Sequence, residues 1–296
     1  MAVPVIQSSN TATGTAVSSL TITKPSGLAV GDLLVAIIAT SASGTVRTHT
    51  TPAGWTVIQK DGTSAAFRPV AYYKVADSSD VAASNFTFSL SGSTTAISGV
   101  LARVTDFVSS NPVTQSELDN TPSPTGTVRT YTTALTPDSN NSLVVFGVGN
   151  YTSSMVGTPA TVSTYTISPS VTLTELADIG VVDGAQDGHA WGIAYGSYTG
   201  TSQITSRGAT LSESMTQDSG SVIFLINGSY DASGSSALLS VSPTIFANAG
   251  ARADTNGSSA LLAVSPTINT QSGKGTAPTT WTNPDKTSTT WTNPEK

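Results

Sequence analysis

The feature that most constrains this chain is a two-residue alternation of apolar and hydroxyl side chains. Over residues 18–24, Leu20 and Ile22 alternate with Ser19, Thr21 and Thr23, the period of a strand with one wet face. Residues 33–38 are instead continuously apolar, as a central strand covered on both sides requires. Further candidate strands run over 55–59, 70–75, 86–90, 98–107, 143–149, 164–177, 190–198 and 222–226. Turn-forming clusters separate them: KPSG at 24–27, TPAGW at 51–55, SGST at 91–94 and PDSNN at 137–141. No segment carries a sustained apolar stripe of helical period. Many short strands without crossover helices predict an all-β chain, an antiparallel two-sheet sandwich or jelly roll with a repetitive extended C-terminal tail. The sandwich is expected over 1–228, its last strand ending at Asn227.

Composition narrows the setting. Ser and Thr make up 92 of the 296 residues, while only 10% are charged, so solubility rests on hydroxyl groups. The net charge of −6 and the lack of any basic run exclude a nucleic-acid footprint, which needs clustered Lys and Arg. There is no Cys, which removes thiolate metal sites and thiol nucleophiles. The first ten residues, MAVPVIQSSN, carry neither the charged nor the apolar region of a signal peptide. The apolar run at 33–39 is too short to cross a bilayer as a helix. Neither a membrane partner nor a cofactor is expected.

Beyond Gly228 the composition changes and two internal repeats appear. SSALLSVSPTI at 235–245 returns as SSALLAVSPTI at 258–268, differing only at Ser240 and Ala263. These form a tail segment over 229–275. TTWTNPDK at 279–286 returns as TTWTNPEK at 289–296, within a second segment over 276–296. The short apolar cores of the first pair, Leu238, Leu239 and Val241 with Leu261, Leu262 and Val264, need a surface to lie against, because short isolated strands do not persist in water. Trp281 and Trp291 are suited to anchor an interface through their large apolar area. All eight are therefore candidate assembly residues.

The run LTITKPSGLAVGDLLVAIIA, TPAGWTVI, VAYYKVAD, ISGVLARVTDFVSSNPV and SVIFLIN resembles a β-sandwich module of phage virion proteins and some bacterial surface proteins. Thr105-Asp106-Phe107 stands where that family more often has a Gly-containing turn. The WTNP repeats resemble those trailing some phage-encoded structural proteins. The resemblance implies a non-enzymatic structural protein on the particle exterior, a capsid decoration or a fibre. It is expected to be made in the host cytoplasm and to form a homotrimer that contacts other virion proteins such as the major capsid or tail protein. The alternative is a carbohydrate-binding adhesin or receptor-binding module that contacts a host-surface glycan.

Few residues suggest chemistry. Asp183 and Asp187, in DGAQDG, are a weak calcium candidate, since the fuller oxygen-ligand series is missing, and are more readily explained as turn formers. Trp191 and Tyr195 alternate with Ile193 on one strand face; they suit the core and are also the candidate glycan contacts. Trp55 is expected to cap one end of the core. His49 and His189 have no recognisable serine partner in sequence and are expected at the surface. Glu117, Asp119, Glu175 and Asp178 are the carboxylates from which a hydrolytic pair would be drawn, but their spacing selects none.

Overall fold

A computed structural model describes residues 2–42, 47–62, 66–121, 126–138, 141–153, 159–183, 187–214 and 218–228. In chain order its elements are β1 (Val5–Thr15), β2 (Ser19–Thr23), β3 (Leu33–Ser41), β4 (Thr56–Gln59), β5 (Phe67–Val75), α1 (Ser78–Ala82), β6 (Asn85–Ser89) and β7 (Ala96–Thr105). There follow β8 (Val113–Thr121), β9 (Val128–Leu135), β10 (Ser142–Thr152), β11 (Val162–Ser168), β12 (Thr174–Val182), β13 (Gly188–Tyr198), β14 (Ile204–Leu211) and β15 (Ser219–Asn227). Every strand pairing between them is antiparallel, as the sequence leads one to expect.

Two five-stranded sheets, β1-β7-β3-β5-β4 and β12-β13-β10-β15-β8, face each other, and each carries a smaller sheet on its outer side, β2-β6 and β11-β14-β9 respectively. The alternation of side chains builds these four layers. On β3, Leu33, Val35, Ile37 and Ala39 enter the central layer, while Leu34, Ala36 and Ile38 pack under β2 and β6. On β15, Val222, Phe224 and Ile226 face the central layer, while Ile223 and Leu225 pack under the three-stranded sheet. A strand covered on both faces has no polar side to write into its sequence, which is why these segments read as continuous apolar runs.

The candidate strand over 164–177 divides into β11 and β12, which lie in different sheets. Pro169 follows β11 directly and has no N–H to continue a ladder. β1, β8, β9 and β14 are rich in polar side chains and show no apolar alternation strong enough to announce them. The short α1 is held by a capping box: Asp77 accepts from the N–H groups of Ser79 and Asp80, and Asp80 accepts from the Asp77 N–H.

The two five-stranded sheets are the same sheet built twice. Reading β8, β15, β10, β13, β12 against β1, β7, β3, β5, β4 gives the same neighbours in the same order, and β9-β14 matches β2-β6. Two register shifts fix the alignment independently. β1 skips Gln7 opposite Val104 and Arg103, and β8 skips Thr114 opposite Ile226 and Leu225. β4 skips Ile58 opposite Tyr72 and Ala71, and β12 skips Leu176 opposite Ala194 and Ile193. Both bulges make Leu33 equivalent to Leu143 and Phe67 equivalent to His189. Bulges are placed features of a sheet, so their coincidence identifies an internal duplication, with residues 2–108 as one half and 113–228 as the other.

The halves meet with exchanged partners. β1 lies against β12 while β4, the equivalent of β12, lies against β8, the equivalent of β1. A patch that meets its own equivalent in this way is the isologous contact of a two-fold dimer, here within one chain.

Candidate functional site

The polar side chains with the chemistry to act are gathered inside the layers. His189 on β13 is fully enclosed between the two five-stranded sheets. The Ser41 hydroxyl lies 2.9 Å from its Nδ1 and the Ser98 hydroxyl 2.6 Å from its Nε2. Both serines come from the opposite half, from β3 and β7. A neutral imidazole has one N–H donor and one acceptor, so one serine accepts from the ring and the other donates to it. Burial pushes the His189 pKa down to about 3, and the ring stays neutral at physiological pH. The cluster ties the two halves together and offers no path for a substrate. The expectation of a surface histidine is thus corrected: the glycines around His189 belong to close-packed strands rather than to a loop.

His49 is also buried rather than exposed. Its Nδ1 lies 2.6 Å from Asp61 Oδ1, and its backbone N–H donates to the same carboxylate. Its Nε2 lies 3.5 Å from the Thr40 hydroxyl. Hydroxyl, imidazole and carboxylate in that order form the relay used in nucleophilic catalysis. Here, however, the Thr40 hydroxyl donates to the Arg68 carbonyl at 3.3 Å, and Thr40 and His49 are each only 3% exposed. Burial lowers the His49 pKa, with Asp61 opposing. The arrangement braces the segment before β4 against β3 and against the segment that follows β4.

Glu117 and Asp119 line a shallow cleft of about 280 Å³ between β8 and β9, with Thr132, Thr133 and Ala134 opposite. Glu117 accepts from the Thr133 hydroxyl and, at 2.8 Å, from the Ala134 N–H. Behind it the Arg207 guanidinium, fully buried, lies 3.5 Å from Glu117 Oε2. Arg207 donates to the Ser221 hydroxyl at 2.7 Å and to the Thr132 carbonyl at 3.1 Å, and lies over the Tyr131 ring. Glu117 is thus committed as a counter-charge. Glu175 and Asp178 stand elsewhere, on β12, where Asp178 Oδ1 accepts from the Val162 N–H at 3.1 Å. Partial burial pushes the Asp178 carboxyl up to about 6, the Val162 hydrogen bond opposing and Glu175 adding to the rise. The four carboxylates do not converge on one site.

Trp191 is in the central layer, fully buried against Phe67, so it cannot present its face to a sugar ring; that candidate role is corrected. Tyr195 is partly buried against the same layer. Asp183 and Asp187 close the turn between β12 and β13: the Asp183 N–H donates to the Asp187 carbonyl, and the Asp187 N–H donates to Asp183 Oδ1 at 2.9 Å. Tyr151 donates to Asp187 Oδ1 at 3.2 Å. Among the described residues no group of three or more His, Asp or Glu side chains is placed to hold a metal. Trp55 lies edge to face on Phe86 and Phe88, at 5.9 and 5.3 Å. The tail anchors Leu238, Leu239, Val241, Leu261, Leu262, Val264, Trp281 and Trp291 lie outside the described residues.

The halves differ most at the edge of their outer sheets. In the second half the Thr161 N–H donates to the Ser212 hydroxyl and the Ser212 N–H to the Thr161 carbonyl. In the first half Thr48 and Ser91 make the same two bonds. From this shared start the second half continues as β11, pairing Thr166 with Gly208, Ile167 with Arg207 and Ser168 with Ser206. The first half makes one bridge, His49 to Leu90, and then turns away through Pro52 into β4. The equivalents of Gly208, Arg207 and Ser206 are Thr87, Phe86 and Asn85, and among the described residues no third strand lies beside them on β6. This open edge could not be read from the sequence, because it exists only by comparison with the filled one. No family model, curated protein or solved structure matches this chain.

Proposed function

We propose that this chain is a non-enzymatic structural protein of a phage particle, carried on the particle exterior as a capsid decoration or fibre, with its tail repeats making the assembly contacts. The observation that carries this reading is the joining of a doubly repeated tail to a duplicated β stack whose histidines and buried arginines are spent on holding its layers together. Solvent-facing positions such as Thr11, Thr21, Thr23, Thr87 and Thr130 give the stack a hydroxyl exterior. Such a surface is suited to exposure and offers little charge for non-specific partners. Self-association, as a homotrimer, and contact with a major capsid or tail protein follow from the same reading. No helix of the described residues is long and apolar enough to cross a membrane.

The test is a chain ended after Gly228, compared with the full chain by circular dichroism, sedimentation and electron microscopy with particles. The reading expects a folded shorter chain that no longer joins its oligomer or particle. Unchanged assembly by the shorter chain would overturn it.

A further inference from the structure

We propose that the open edge of β6 receives a strand from the tail of a second copy of this chain, the Leu-x-Val-Ser-Pro segment that each tail carries twice. The inference rests on the assembly reading above and names the surface it uses.

The receiving edge is defined by its backbone. The Ser91 N–H donates to the Thr48 carbonyl and the Thr50 N–H to the Ser89 carbonyl, while the Leu90 N–H turns the other way, to Ser18 on the β2 side. Backbone direction alternates along a strand, so Asn85 and Thr87 aim their N–H and C=O groups at the same edge as Ser89 and Ser91. Past Thr50 no described residue bonds to them there. A strand edge of this kind is a template for an added strand.

The second half shows what fits. There the equivalent edge is filled by β11, which ends Tyr165-Thr166-Ile167-Ser168 and is followed directly by Pro169. The tail carries the same order of residue types at Leu239-Ser240-Val241-Ser242-Pro243 and again, with alanine in place of the hydroxyl residue, at Leu262-Ala263-Val264-Ser265-Pro266. Placed in the register of β11, Ser240 or Ala263 stands opposite Thr87, Val241 or Val264 opposite Phe86, and Ser242 or Ser265 opposite Asn85. The valine then enters the apolar layer beside Phe86 and Trp55, and Ser-Pro ends the added strand as it ends β11. Where the second half sets Arg207 at this position, the first half sets Phe86, a better neighbour for valine. The open edge of β6 and two donor segments in each chain let every copy both give and receive.

Three full-length proteins test this by sedimentation: wild type, Thr87→Pro, and Val241→Asp/Val264→Asp. Proline at an edge position whose N–H points outward removes no ladder bond. Thr87→Pro is therefore expected to keep the wild-type circular dichroism and melting temperature while losing self-association, as the tail variant also does. A second measurement does not depend on that variant folding. The chain has no Cys, so Thr87→Cys protein mixed with Ser240→Cys protein reports contact between copies, paired strands bringing Cα atoms to about 5.5 Å, within disulfide reach. The mixed disulfide is expected to exceed both homodisulfides. If folded Thr87→Pro associates like wild type, or the mixed disulfide shows no excess, the β6 site is overturned, and tail-driven assembly survives only if the tail variant is monomeric. A monomeric wild type, or a tail variant that associates normally, overturns both.

Discussion

His189 and Phe67 hold equivalent positions in the two halves, and their rings meet edge to face, 5.7 Å between centroids, in the layer where the halves join. One position is therefore polar in one half and apolar in the other. The surroundings have diverged to match: Ser41 and Ser98 hold the imidazole, while their equivalents are Tyr151 and Gly220, the glycine leaving room for the phenyl ring. A Cβ on Gly220 would lie 3.1 Å from Phe67.

The buried imidazole makes stability depend on acid. His189 titrates at about 3 when folded and at 6.5 when free, so between these values the unfolded chain binds more protons. Its contribution is complete above about pH 6.5 and is lost as pH falls towards 3. At about 1.4 kcal/mol per pKa unit, the loss is several kcal/mol. Urea denaturation across this range should show a steeper fall for wild type than for His189→Phe, even if the variant is less stable at neutral pH. Parallel slopes would count against an enclosed, neutral His189.

Gly147 on β10 leaves room for the Trp191 ring on the neighbouring strand β13. A Cβ there would stand 2.2 Å from Cζ2 of Trp191, too near for any rotamer adjustment of a ring already fully buried. Gly147→Ala should cost at least about 2 kcal/mol, read as a lower urea midpoint. Gly31→Ala is the contrast: no atom lies within 4 Å of its added Cβ, and its cost comes from the positive φ of 93° alone.

Arg207 holds a charge inside the outer layer of the second half, where the first half has Phe86. Glu117→Ala removes its counter-charge. Since Glu117 is about one-third exposed, the expected cost is about 2 kcal/mol, less than for a fully buried pair. Arg207→Met added to Glu117→Ala should recover part of that loss by removing the stranded charge. A double variant whose destabilisation equals the sum of the singles in a denaturation cycle would show that the two side chains are not coupled.

The contact between halves should outlast the peptide that joins them. Val108 and Asn227 are bound through the Val108 N–H, and Pro112 accepts from the Asn227 N–H, while Ser109, Ser110 and Asn111 between them are exposed. A protease site inserted after Ser110 and cut in the folded protein should leave both fragments co-eluting with unchanged circular dichroism. The apolar central layer, at about 25 cal/mol per Å² of buried area, holds them. Separation of the fragments without denaturant would contradict the isologous interface.

What the sequence determined by itself is the local period. Alternation at Leu20 and Ile22, and the unbroken apolar runs of β3 and β15, specify strands with one or two covered faces, because side chains leave a strand on alternate sides whatever the fold around it. Polar-rich β1, β8, β9 and β14 were not legible, since their inner faces mix apolar side chains with polar or small ones such as Arg129, Thr133, Arg207 and Gly208. The duplication was hidden for a related reason: Leu20 is answered by Arg129, Phe67 by His189 and Ile37 by Gly147, so many equivalent positions share a place in the register without sharing chemistry. Only tertiary structure decided that His49 and His189 lie inside, that Trp191 faces a partner sheet, and that β6 is left with an edge that β14 has covered. Those outcomes depend on which strands meet, and contacts between distant segments leave no periodic mark on the chain.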